Sequence, residues 1–166
     1  MARTTQTRRG GEGGHTLLEL VTVSAIIAIA SALAYPSLAD LRRGQELEAA
    51  ATGTAQCLRL ANWRAVVSGR RVRVAPRLGT DGAWRLSVER EVGASWVPDG
   101  EDRRVPRGTL LAVAGPAEKV FNPDGTCSIG SITLRGAGDA VYRCTLTPAT
   151  GRVRLYRGAR EVGRGL

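Results

Sequence analysis

Few side chains in this sequence could do chemistry. There is one histidine, His15, and there are three cysteines, Cys57, Cys127 and Cys144. No two of these have metal-ligand spacing. With no histidine after His15, histidine-based acid–base or nucleophile chemistry is excluded. Glu89, Glu91, Asp99, Glu101 and Asp102 form acidic pairs, but Arg90, Arg103 and Arg104 lie among them. That pattern reads as a solvated, self-compensating loop. Gly10-Gly11 and Gly136–Gly138 lack the pattern of a phosphate loop. The sequence therefore predicts no enzyme, no metal, no cofactor and no small-molecule substrate.

Two places do hold charge that asks for a partner. Glu19 sets a carboxylate at the border of a long apolar stretch, where a bare carboxylate is costly unless paired. Near the other end, Arg152, Arg154, Arg157, Arg160 and Arg164 stand against Glu161 alone, with Tyr156 interleaved. Such a cluster suits phosphate contacts, whose affinity falls steeply with salt. Arg152 and Arg154 would point to one face of a strand and Val153 to the other. A solvent-facing hairpin strand explains the same residues. The net charge of +9 comes almost wholly from arginine. It fits nucleic acid, lipid head groups or acidic proteins, or else a plain arginine-rich surface.

The element that must position Glu19 is a helix. Residues 1–14 are polar and glycine-rich, with Arg3, Arg8 and Arg9 against Glu12. His15-Thr16-Leu17-Leu18-Glu19 follows, and then roughly 19 uncharged residues, Leu20–Leu38, close to the ~20 that span a bilayer as a helix. The basic leader should stay cytoplasmic, although Arg42 and Arg43 on the far side weaken that asymmetry. A secretory signal peptide cut after Ala32-Leu33-Ala34 is one reading, and a plain single-pass anchor is another. Neither needs a glycine directly before the apolar run, a carboxylate at its border, or Pro36 within a helical pattern that resumes beyond it.

Past Pro36, Leu38, Leu41, Ala51, Thr54 and Leu58 fall at three- and four-residue steps or their multiples. They predict an amphipathic helix ending near Val67, with Ser68-Gly69 as its stop. From Arg70 the period shortens to two, as in Arg71-Val72-Arg73-Val74 and Arg85-Leu86-Ser87-Val88. Further strands are expected at 109–114, 119–121, 129–134, 141–146 and 152–156. Turns at 79–82, 98–100, 122–125 and 136–138 separate them. At 122–125 we expect a type I turn starting at Asn122, with Phe121 as a core anchor. The fold class is α+β: a long N-terminal helix on one antiparallel sheet of about six to eight strands with one polar face. If the domain lies outside the cytoplasm, one disulfide is expected. Cys127 and Cys144, both in strand-like stretches, are the expected pair, with Cys57 buried in the helix.

Gly14 followed by Thr16-Leu17-Leu18-Glu19 and the apolar run resembles the class III signal of type IV pilins, with His15 where phenylalanine is usual. The resemblance implies cleavage between Gly14 and His15 by an aspartic prepilin peptidase, then N-methylation of His15. It also implies that Glu19 pairs with the terminal amine of a neighbouring subunit and that Pro36 bends the helix. Phe121-Asn122-Pro123-Asp124-Gly125-Thr126, Ser131-Ile132-Thr133-Leu134 and Thr150-Gly151-Arg152-Val153-Arg154 resemble motifs of the GspH/FimT group of minor pilins and pseudopilins. Leu60-Ala61-Asn62-Trp63-Arg64-Ala65 resembles the helix end of that group. The expected organisation is a cleaved leader (1–14), a transmembrane half-helix (15–36), an amphipathic half-helix (37–68) and a β-rich domain with an arginine-rich tail (69–166). The expected partners are other pilin subunits, the prepilin peptidase and the inner membrane, crossed once with the globular domain outside the cytoplasm. The implied role is a subunit of a type IV pilus or type II secretion pseudopilus. Gly151-Arg152-Val153-Arg154 also resembles the motif with which FimT-type pilins bind DNA during uptake.

Overall fold

The computed structural model describes the backbone of residues 13–136 and 140–162, and side chains there except 13–16 and 33–40. Residues 1–12 of the expected leader (1–14) and the residues after Val162 lie outside the described part, as do the side chains of Gly14, His15 and Pro36. Helix α1 runs from Gly13 to Ser68. It ends at Gly69, whose φ of 63° is the left-handed conformation that closes a helix. The chain divides into two compact units between Leu41 and Arg42.

In the first unit the described side chains of α1, 17–32, are all exposed, and most of them are apolar, with Glu19 the one charge among them. Leu17, Leu18, Leu20, Val21, Ile26, Ile27 and Ile29 are all exposed. Its hydroxyls are turned inward: Thr22, Ser24 and Ser31 donate to the carbonyls of Leu18, Leu20 and Ile27 at 2.6, 2.7 and 2.7 Å. Such back-bonding satisfies each hydroxyl within the helix itself. Among the described residues no helix is long and apolar enough to cross a membrane. The described side chains of the apolar run are 17–32, short of the ~20 a span needs.

In the second unit one stripe of α1 is buried: Leu47, Ala50, Ala51, Thr54, Ala55, Leu58, Ala61 and Ala65. The spacing is helical, and mostly alanine lets the sheets approach closely. Leu41 is not part of it; it is 58% exposed and falls at the end of the first unit. Leu38 lies outside the described side chains.

The strands are β1 (Val72–Leu78), β2 (Trp84–Val92), β3 (Ser95–Pro98), β4 (Arg103–Arg104), β5 (Leu110–Ala114), β6 (Lys119–Phe121), β7 (Gly130–Arg135), β8 (Val141–Thr147), β9 (Arg152–Arg157) and β10 (Arg160–Val162). They form two five-stranded sheets, not one. The first has order β3-β2-β1-β6 with β4 also on β2, and the second has order β10-β9-β8-β7-β5. Alternation identifies a strand without saying which strand it pairs with, so the break between β6 and β7 left no mark in the sequence. The expected turn at 122–125 follows β6, on the way from the first sheet to β7 of the second. Gly125 N–H donates to Asn122 O at 3.0 Å, Asn122 Nδ2 donates to Thr126 Oγ1 at 2.8 Å, and Phe121 is fully buried beside it. The core joins the alanine stripe to Val72, Leu86, Phe121, Ile132, Leu134, Tyr142 and Leu155 from both sheets.

Candidate functional site

Of the acidic residues expected in a solvated loop, Glu89 and Glu91 are strand residues with fixed partners, while Asp99, Glu101 and Asp102 do lie between strands. Glu89 stands on β2 opposite Arg73 of β1, and the N–H of Glu91 donates to the carbonyl of Arg71 just before β1. Glu89 is buried and accepts from Arg73 and Arg77, each at 2.5 Å, while Arg73 also reaches Glu118 at 2.7 Å. Arg71 pairs with Glu91, which the hydrogen bond holds below its ordinary pKa. Trp96 on β3 lies under both arginines, 4.5 Å from Arg73 and 6.0 Å from Arg71. Asp99 ties the next loop to α1 through Arg64, at 3.6 Å. A strand pairing, invisible to composition, turns these charges into a structural lattice. No cluster of metal-ligating side chains occurs among the described residues.

The expected disulfide is absent: Cys57, Cys127 and Cys144 are free thiols. Cys144 faces α1 from β8, with its Sγ 3.8 Å from Ala51 O. The backbone N–H of Cys127 donates to Pro148 O at 2.9 Å, and its Sγ lies 3.5 Å from Thr147 O. Cys127 therefore sits beside the chain four residues beyond Cys144, roughly 13 Å along an extended strand at ~3.3 Å per residue. A disulfide needs Cα atoms within about 7 Å. Membership of strand-like stretches was not enough to set the offset.

The arginines of β9 separate by parity. Arg152, Arg154 and Tyr156 point outward, while Val153 and Leu155 are buried. Arg143 of β8 stands opposite Tyr156 and so shares that outer face. Arg154 is linked to Glu161 at 4.0 Å, and its hydrogen bond with Tyr156, followed by the Glu161 charge, raises its pKa. Arg157 pairs with buried Tyr142, lies 5.8 Å over its ring, and stands opposite Arg160. Arg157 and Arg160 therefore share the other face. The structure gathers Arg152 and Arg154 with Arg143, which the sequence reading missed, and sets Arg157 and Arg160 apart. Knowing the β8–β9 register would have shown this. Part of the expected flexible tail is strand β10, hydrogen-bonded along β9.

No family model matches the chain, and no curated protein sequence matches it. Solved structures do. The chain is similar to the minor pseudopilin EpsH from the type II secretion system of Vibrio cholerae. One structure matches with TM-score 0.58 and 20% identity over 69% of this chain and 99% of that one. A second matches with TM-score 0.54 and 18% identity over 73% and 98%. The α+β architecture expected from the sequence is thus the fold of a minor pseudopilin.

Proposed function

We propose that this protein is a minor pseudopilin or minor pilin of a type II secretion pseudopilus or type IV pilus. The chain enters the inner membrane through α1, with its globular domain outside the cytoplasm. The prepilin peptidase cuts between Gly14 and His15, and the new terminus is methylated. Glu19 then pairs with the terminal amine of a neighbouring subunit, fixing the axial register of packed helices in low dielectric. Pro36 supplies the bend between the two halves of the helix. The role is structural rather than catalytic. The observation that carries this reading is the pseudopilin fold, joined to a helix start that exposes many large apolar side chains. A helix so rich in exposed apolar side chains is suited to lipid or to a bundle of its own kind.

N-terminal sequencing of the mature protein tests it. The expected first residue is His15. A start at Tyr35 would mean signal-peptidase cleavage after Ala34, releasing a soluble protein and defeating the filament reading.

A second reading is DNA binding for uptake. It is favoured by Arg143, Arg152 and Arg154 sharing one outward face. Here a gel shift with the full chain in detergent should show duplex binding that weakens steeply with salt. The double variant Arg152→Gln/Arg154→Gln should lower the log–log salt slope by about 2, or about 0.9 per lost phosphate contact. No shift at low salt removes the reading.

A further inference from the structure

Strand β5 ends its sheet, with β7 on one side and no strand on the other among the described residues. The direction of its backbone groups follows from the pairs further along the sheet. Gly136 N–H donates to Ala140 O at 3.5 Å, and Gly158 N–H to Val141 O at 2.9 Å. Both bonds set the same phase: stepping by two, Leu134–Tyr142, Ile132–Cys144 and Gly130–Leu146 are hydrogen-bonded pairs. Ser131, Thr133 and Arg135 therefore bond the other way, to Ala114, Ala112 and Leu110. That leaves Leu111 and Val113 with N–H and C=O turned to the outer edge. Neither makes a backbone hydrogen bond beyond the sheet among the described residues.

The rest of the chain is badly placed to fill this edge. Residues 137–139 join Gly136 to Ala140, whose backbones already meet, on the β8 side of β7. Residues 163–166 follow β10, which is four strand spacings or ~19 Å from β5, and four residues reach at most ~14 Å. Residues 1–12 belong to the first unit and to the leader that the reading above removes. A second copy fits no better. Leu47 lies against Gly136 and Asn62 against Gly151, so α1 runs along the strands of this sheet. Pairing β5 antiparallel with its own copy would reverse α1 in the partner, against a common entry into one membrane.

Natural edge strands deter pairing with a charge, a proline or a bulge. Here β3 ends in Pro98 and β10 carries Arg160 and Glu161. Strand β5 has none of these, and its register against β7 is unbroken. In a chain of net charge +9, residues 109–117 hold no charge at all. Leu110 is 67% exposed, Ala112 and Ala114 are exposed beside it, and neutral Thr133 and Ser131 stand opposite those alanines on β7. A charged strand laid here would lose water and gain no counter-charge. We infer that the β5 edge docks an extended, uncharged segment of another protein, added antiparallel beside Leu111 and Val113. Strand addition gives affinity through the main chain and selectivity through alternate side chains. The inference uses the membrane reading only to set the leader and a second copy aside, and N-terminal sequencing tests that reading separately.

The test uses the full chain in detergent and a short labelled peptide alternating valine with threonine. In the added strand the valines stand opposite Leu111 and Val113 and bond to them, while the threonine N–H groups turn away. Fluorescence anisotropy should show saturable binding. N-methylation of the valines should weaken it at least about tenfold, and N-methylation of the threonines should leave it unchanged. A central lysine or a central glutamate should each weaken it. The amide signals of Leu111 and Val113 should shift on addition of the peptide. Val113→Pro removes an outward N–H and no bond to β7, so it should lose binding and keep a cooperative urea transition. No binding, equal loss from the two N-methylations, tighter binding of either charged peptide, or shifts confined to the Arg143 face would overturn the inference. So would binding that appears only after residues 1–12 are removed, or a dimer of the chain that the peptide dissociates, since the occupant would then be the chain's own start or a second copy.

Discussion

Gly130→Ala should destabilise the globular domain by about 3 kcal/mol or more, through strain and forced repacking together. Gly130 has φ of 140°, a conformation that L side chains rarely adopt. A Cβ there would lie 2.2 Å from the backbone oxygen of Ala114 and 2.5 Å from Lys119 Nζ. Neither neighbour can yield cheaply. Ala114 is held in register against Ser131 at the end of β5. The Lys119 amine is buried and donates to Ala114 O and Pro116 O, each at 2.7 Å, closing the loop between β5 and β6. Relieving the clash means parting that loop from β7 and leaving a buried amine and two carbonyls short of partners. The measurement is the urea midpoint, which should fall with the slope unchanged. Gly44→Ala is the control. Nothing lies within 4 Å of its added Cβ on the exposed helix, so it should stabilise by up to ~1 kcal/mol. Equal midpoints for wild type and Gly130→Ala would mean that the close approach does not exist in solution.

Gly130 also marks where the sequence stopped being readable. The expected strand at 129–134 is present as Gly130–Arg135, because Ile132 and Leu134 alternate with polar neighbours. Nothing local says that Gly130 passes close under Ala114. The helix end at Ser68, the core position of Phe121 and the opposite faces of Val153 and Arg152 were legible for the same reason: each follows from a local period or a turn residue. Leu41, Glu89 and the Cys127–Cys144 pairing were misread because each depends on what lies opposite. Leu41 has the right helical phase but falls outside the packed unit. Glu89 is among acids and arginines in sequence, yet its partners are on β1. At the candidate site, parity alone separates Arg152 from Val153, but only the register adds Arg143 and sets Arg160 beside Arg157.

Above about pH 9 the domain should lose stability, with Cys144 as the main cause. Burial among apolar side chains pushes the Cys144 thiol from 9.0 up to about 12. In the folded state it therefore stays protonated while the unfolded chain's thiol ionises. The stabilisation is fully present below pH 9.0 and is lost as pH rises towards about 12. The expected slope is about 1.4 kcal/mol per pH unit from this one group. Burial raises Cys127 and Tyr142 too, adding loss of the same sign. Burial lowers Lys119, so its contribution runs the other way, gaining stability as pH rises towards its unfolded value of 10.5. Cys144→Ala isolates the leading contribution. It should cost about 1 kcal/mol at neutral pH for the lost sulfur, yet overtake the wild type as the alkaline slope sets in. The check is a series of denaturant midpoints from neutral pH upward for both proteins. Parallel losses would remove Cys144 as the cause. A wild-type slope that appears only after reduction would show that the sulfur is held in a disulfide, which the offset between Cys127 and Cys144 forbids without moving the backbone of β8.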